Sequence, residues 1–223
     1  MEEYLKDISD GKLYSSNDMV KVGCHDCTGC SACCCDMGES ILLDPMDVWR
    51  LERNLGQSFE QLLAGAIDLH VEDGLILPNL KMAPSATGPK CSFLNEEGRC
   101  SVHPFRPGFC RLFPLGRLYE NGSFQYFLQT HECKKENRTK VKVRKWIDIP
   151  DFGKYEKFVS DWHYFAKEMG QKIKSLGSEG QDKSKALCLY VLKKFYMEPF
   201  DASVDFYEQF NKRLEEAKHA AAA

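Results

Sequence analysis

Thiols dominate the residues of this sequence that could do chemistry. Cys24, Cys27, Cys30, Cys33, Cys34 and Cys35 fall within twelve consecutive residues. Cys91, Cys100, Cys110 and Cys133 follow, and Cys188 stands apart. A thiolate is a soft anionic ligand, suited to zinc or to iron–sulfur clusters. Two residues between cysteines let one tight turn aim both sulfurs at the same point. That interval repeats from Cys24 through Cys27 and Cys30 to Cys33, with Cys34 adjacent to the last. Read as Cys24-x2-Cys27-x2-Cys30-x3-Cys34, it has the spacing of a bacterial ferredoxin run. However, Cys35 stands where proline should follow, and no second run supplies a partner cluster. The spacing signals metal and not that fold. Eleven cysteines, an odd count, exceed what packing needs, and in a reducing compartment they cannot be assumed to pair as disulfides. A redox relay through a pair such as Cys27 and Cys30 is the competing use of the cluster. For Cys188, on an apolar face with Leu187, Val191 and Phe195, plain packing is the simpler reading.

The second group of thiols is spread more widely. Cys91 and Cys100 flank a Glu97-Gly98 turn, so a hairpin could bring their sulfurs together. With Cys27 and Cys30 they could complete one closed zinc tetrahedron. The adjacent Cys33-Cys34 pair is awkward for a single zinc, because neighbouring side chains point apart unless the backbone turns sharply. A larger cluster with separated metal corners accepts such ligands more easily, which favours iron–sulfur over zinc. Arg106 and Arg111 bracket Cys110, where a guanidinium could offset the negative charge of a thiolate centre. Either could equally be a surface arginine. His25, His103 and His131 each lie near a cysteine and could ligate, although the cysteines suffice and exposed imidazole is the simpler expectation.

Several elements must position these groups. Asp44-Pro45-Met46-Asp47 is a helix start, with Asp44 as cap and Pro45 at the first turn; the helix should run to about Leu55 and stop at Gly56. Ser58 and Gln61 form a capping box for a second helix, expected to reach about Leu69. The middle of the chain is broken by prolines and turn signals, Asp73-Gly74 and Asn121-Gly122 among them, and Arg117–Phe127 should form a hairpin. The basic run Lys140–Lys145 reads as a solvated strand or loop face. From about Asp151 the pattern turns helical: Tyr155, Phe158, Val159, Trp162, Phe165, Ala166 and Met169 mark one buried face. A polar break at Gly177–Gly180 precedes a helix from about Asp182 to Met197 and another from Asp201 to about Lys218. The alanine tail is assigned no function.

Composition bounds the partners. Thirty basic and 33 acidic residues leave a net charge of −3 with no basic stripe, which argues against nucleic acid. The apolar runs are too short to span a membrane. The polar, acidic start Met1–Ile8 does not read as a secretory signal, so the expected location is cytoplasmic.

The segments Cys27-x2-Cys30-x2-Cys33-Cys34, Cys91-x-Phe93-Leu94, Arg99-Cys100-Ser101-Val102-His103 and Arg106-Pro107-x2-Cys110-Arg111-x-Phe113-Pro114 resemble the YkgJ-type CxxCxxCC cysteine-cluster family, described as zinc- or iron-chelating. The resemblance spans roughly residues 24–135. It implies that Cys27, Cys30, Cys33, Cys34, Cys91, Cys100, Cys110 and Cys133 are the metal positions, with Cys24 and Cys35 outside the pattern. More distantly, the chain resembles flagellin lysine N-methylases, which are associated with an iron–sulfur cluster and S-adenosylmethionine. The likeness lies in the cysteine pair, the Cys91-x-Phe93-Leu94 type of segment and a later cysteine. This chain is shorter, spaced differently ahead of the pair, and has no GxGxxG after a strand. S-adenosylmethionine and methyl transfer to a protein lysine therefore follow from the resemblance alone.

The expected fold is mainly α with small β-hairpins, an irregular cysteine-rich metal-ligating core packed against N-terminal and C-terminal helices. Residues 1–145 would form the cysteine-cluster domain and 146–223 a helical region packed on it as one unit. The expected function is a metal-binding cysteine-cluster protein carrying an iron–sulfur cluster of the [4Fe–4S] kind. The alternatives are a cluster-dependent methyltransferase and a structural zinc protein whose helices dock a partner. Metal ions are the expected partners, joined in the alternatives by a protein substrate or partner; no catalytic residue can be named.

Overall fold

A computed structural model of the chain describes residue 5 and residues 7–177 and 180–222. Its elements run β1 (Ser9–Tyr14), β2 (Met19–Gly23), α1 (Pro45–Leu55), α2 (Phe59–Gly65), β3 (Ile67–Glu72), β4 (Leu75–Leu80), β5 (Met82–Ala83), β6 (Lys90–Cys91), α3 (Gly108–Leu112), β7 (Leu115–Glu120), β8 (Ser123–Gln129), β9 (Thr139–Lys142), α4 (Val143–Ile147), α5 (Phe152–Ser175), α6 (Gln181–Leu192) and α7 (Phe206–Ala222). Single 3-10 turns lie at His25–Cys27, Ala32–Cys34 and His103–Phe105, and a π turn at Lys193–Met197. Helices take 45% of the chain and strands 23%. The expected small β-hairpins form as small antiparallel sheets in the proline- and glycine-broken middle, and with them the chain is mixed more than mainly α.

The chain divides into two compact units, Met1–Gly38 with Met82–Glu156, and Glu39–Lys81 with Lys157–Ala223. The first carries ten of the eleven cysteines. Its largest sheet has the order β1-β8-β7, all antiparallel. The β7–β8 hairpin forms where expected: Asn121 and Gly122 both take positive φ (50° and 77°), the sign a tight two-residue hairpin turn requires at both central positions. Arg117 on β7 lies over the rings of Phe124, Tyr126 and Tyr155 and donates to Tyr155 Oη at 2.9 Å. A second ladder joins β2 to β9, with Val20 opposite Val141; it takes Lys140–Lys142 of the basic run as strand, while Arg144 and Lys145 fall in α4 instead of the expected strand or loop. Val143 then enters α4 fully buried. The third ladder, β5–β6, sets Cys91 opposite Met82.

In the second unit α1 begins at the predicted Asp44 cap, which forms a full capping box with Asp47 and accepts from the Asp47 amide at 2.9 Å, and it ends on left-handed Gly56. α2 opens on the Ser58–Gln61 box but stops at Gly65 instead of Leu69. Residues 67–72 form β3, paired with β4 from Ile67↔Leu80 to Glu72↔Leu75 across the Asp73-Gly74 turn. A six-residue ladder with Ile67, Leu75 and Leu80 buried outweighs about one further turn of helix. The apolar face of α5 is buried as its spacing predicts, with Phe158, Trp162, Phe165 and Met169 inside and Ala166 only half-buried. Rings from α5, the π turn and α7 interlock: Phe158–Phe210 centroids are 4.6 Å apart and Trp162–Phe195 5.0 Å. Tyr196 is buried and donates to Leu43 O at 3.0 Å. Of the polar break after α5, Ser178 and Glu179 lie outside the described residues, as do Met1–Tyr4 and Lys6 of the acidic start and Ala223 of the alanine tail.

One close approach in this unit gives a sharp expectation. A Cβ on Gly170 would sit 2.5 Å from the backbone oxygen of Asp73, at the tip of the β3–β4 hairpin. The obstacle is main chain and cannot rotate away. Gly170→Ala should therefore lose about 1–3 kcal/mol despite the better helix propensity of alanine, the range for overpacking a tight contact. Chemical denaturation would register the loss; a variant as stable as the parent would mean the hairpin yields freely.

Candidate metal centre

Two consecutive tight turns gather the first six thiols. β2 delivers Cys24 at 5% exposure, and the chain then bends through His25–Cys27, where His25 and Cys27 hold φ of 52° and 56°. Such left-handed values cost a residue with a Cβ on the order of 1–3 kcal/mol and persist only where the surroundings impose them. The turn leaves Cys24 Sγ 3.4 Å from Cys27 Sγ. Cys30 N donates to Cys27 O at 3.0 Å, and a second turn follows in which Cys34 N donates to Ser31 O at 2.9 Å. Cys35 leaves it extended, bridging antiparallel to Lys90, so the first cluster is tied to the segment that carries Cys91. The Glu97-Gly98 turn closes as expected: Asn95 N donates to Arg99 O at 2.9 Å, Gly98 takes φ 70°, and Leu94 bridges Cys100.

The thiols sort into two neighbouring groups. A small cleft is lined by Cys24, Cys27, Cys30, Cys33 and Cys133, with Phe113, Pro114 and Trp146 as its apolar wall. Trp146 is fixed by donating Nε1–H to Phe113 O at 3.1 Å, and Lys135 joins the Cys133 segment to the first turn by donating to Thr28 O at 2.8 Å. The second group is Cys33, Cys34, Cys91 and Cys100, close enough that charge on one thiol disfavours charge on the others. Cys91 and Cys100 thus lie near the Cys33–Cys34 pair. Cys35 faces Cys91 as well. Cys110 sits half-buried on α3 and does not line the cleft.

Electrostatics follow from this crowding. Burial pushes the Cys27 thiol up to about 12, with the Cys24 contact adding to it. Cys33 is drawn down to about 7 by a hydrogen bond from Cys34, helped by Arg106, while Cys34 moves strongly the other way as its donor. Burial raises Cys91 and Cys100. Arg106 is the cation of the site, opposing these rises at Cys27 and Cys100. Its Nη1 is pinned 2.9 Å from His103 O and 3.0 Å from His103 Nδ1.

Arg111 is used differently from either sequence reading. It is 3% exposed and spends its guanidinium on main-chain carbonyls. Nε donates to Arg106 O at 3.1 Å, Nη1 to Ile147 O at 3.2 Å and Asp148 O at 3.0 Å, and Nη2 to Pro104 O. It is a clamp joining α3 to the end of α4 and to the segment carrying Arg106. Neither this role nor the Phe113–Trp146 wall was signalled by the sequence, since arginine beside cysteine reads first as charge compensation. His25 and His131 are exposed and His103 half-buried.

No disulfide joins any of the eleven cysteines. Among the described residues, no three His, Cys, Asp or Glu side chains already stand where all could ligate one ion. The donor set nevertheless fits a soft metal: clustered thiols, several partly exposed to an entering ion, beside a fixed guanidinium. Cys188, by contrast, is buried in the second unit and contacts Gly74 O at 3.2 Å. No helix among the described residues is long and apolar enough to cross a membrane.

A family model, CxxCxxCC, described as "Putative zinc- or iron-chelating domain", matches residues 26–139. No curated protein and no solved structure matches the chain.

Proposed function

The chain belongs to the CxxCxxCC family of zinc- or iron-chelating domains, and from that premise we propose that it carries an iron–sulfur cluster held by thiolates of the group Cys33, Cys34, Cys91 and Cys100. The observation that supports this reading is the backbone that draws three separated segments together: Cys35 bridges Lys90 beside Cys91, and Leu94 bridges Cys100. Adjacent Cys33 and Cys34 suit separate corners of a cluster better than one tetrahedral ion, and Arg106 offsets the negative charge that several thiolates accumulate. A bound cluster supplies one-electron storage or transfer. The protein's own contribution is to fix the ligand segments through the Cys35–Lys90 bridge and the Leu94–Cys100 bridge, and to place a cation beside them.

Zinc is the second reading, favoured by one distance. The Cys24–Cys27 sulfur separation of 3.4 Å is near the ~3.8 Å between two thiolates on a tetrahedral zinc with bonds of about 2.3 Å. Iron and acid-labile sulfide in anaerobically purified protein support the cluster; zinc without iron would overturn it. Methyl transfer rests on the likeness to flagellin lysine N-methylases alone, and is tested by adding S-adenosylmethionine and recording the cluster's visible spectrum. An unchanged spectrum counts against it. As a control on ligand assignment, Cys188→Ser should leave the metal content at the parent level, because its sulfur contacts a carbonyl in the other unit. Loss of metal from this variant, measured by elemental analysis, would refute that placement.

A further inference from the structure

We infer that Cys24, Cys27, Cys30 and Cys133 form a second, mononuclear site for a soft divalent cation such as zinc or ferrous iron, separate from the proposed cluster. The inference deepens the metal-binding reading given above and rests on it. Cys24 lies before the residues that the family model matches. Its side chain is buried, unpaired and 3.4 Å from Cys27 Sγ, and it lines the same cleft as Cys27, Cys30 and Cys133. The fifth thiol of that cleft, Cys33, is assigned to the cluster by the reading above, so four thiols remain. Four is the number a closed tetrahedral site needs, and Cys24 and Cys27 must part by only about 0.4 Å to reach ligand spacing.

Charge agrees. Four thiolates around a divalent ion carry a net charge of −2, and the cleft is lined by two cations, Lys134 and Lys135, against one carboxylate, Glu132, while Arg106 favours the Cys27 thiolate. The Lys135–Thr28 hydrogen bond already holds the Cys133 segment against the turn bearing Cys27 and Cys30. Loading the site requires four thiols to release their protons as the ion enters.

The test uses the full chain, stripped of metal and reloaded with cadmium-113 as the thiolate probe, with proton–cadmium correlation spectra recorded on the unmutated protein. The β protons of Cys24 and Cys27 should couple to the same cadmium. A cadmium bound through Cys27 with no coupling to Cys24 would overturn the inference, and so would failure of Cys27 to bind cadmium at all. On the protein as isolated, Cys24→Ser should lower affinity for the mononuclear ion by more than the ~10–100-fold that outer-shell partners contribute, while acid-labile sulfide stays at the parent level. Unchanged affinity would sink the assignment. Absence of iron and sulfide from the parent protein would contradict the proposed cluster alone, since the cadmium couplings are read independently of it.

Discussion

Cys33→Ser should cost the protein its cluster outright, with iron and sulfide falling to background and the first unit losing much of its stability. Cys33 occupies the junction of the two thiol groups, hydrogen-bonded to Cys34 and in electrostatic contact with Cys91 and Cys100. A serine hydroxyl is a hard, largely protonated donor and cannot replace a thiolate toward iron. Metal binding free energy is also folding free energy when the unfolded chain offers no preformed site; for structural zinc in small domains it reaches about 10–16 kcal/mol. The loss should therefore appear in thermal unfolding as well as in elemental analysis. Retention of iron and sulfide at the parent level would remove Cys33 from the ligand set.

Arg111→Ala should be the most damaging substitution outside the thiols. The side chain satisfies four backbone carbonyls, of Pro104, Arg106, Ile147 and Asp148, at a buried site. Hydrogen bonds from a charged donor contribute about 1.5–3 kcal/mol each, and carbonyls left buried without a donor add their own penalty. Water entering the space would recover part of this, so a destabilisation of at least ~3 kcal/mol is expected. Arg111→Lys should rescue little, because one ammonium cannot reproduce the planar fork that reaches carbonyls on two sides. Urea titration of the variants decides the matter. A loss below about 1 kcal/mol for the alanine variant would show that the clamp is dispensable.

Much of the scaffold was legible in the residues, for identifiable reasons. The Asp44 cap and the Ser58–Gln61 box announce helix starts because they satisfy the first amides locally, and both helices start there. Asn121-Gly122 announced its hairpin because few residues tolerate two positive φ values in succession. The boundary after Gly65 was not legible. Ile67–Glu72 gains its strand only from pairing with Leu75–Leu80, and helical spacing of Leu62, Leu63 and Ala66 ran straight into it. The site divides in the same way. Local intervals announced the thiol cluster, and the Glu97-Gly98 turn announced the approach of Cys91 to Cys100. Which distant turn that pair meets was not legible, since the Cys91 segment is tied to the first cluster by the Cys35–Lys90 bridge, a contact with no local signature. Arg111 was opaque for a related reason: the carbonyls it holds at Ile147 and Asp148 come from a part of the chain that spacing cannot connect to it.

The central claim is that thiolates from separated segments of the first unit jointly hold inorganic ions. It is tested most directly by quantifying iron, acid-labile sulfide and zinc in anaerobically purified full-length protein alongside its visible spectrum. A brown protein with iron and sulfide in matched amounts is the expected result. A colourless protein free of metal, with every thiol of the first unit open to alkylation, would contradict it.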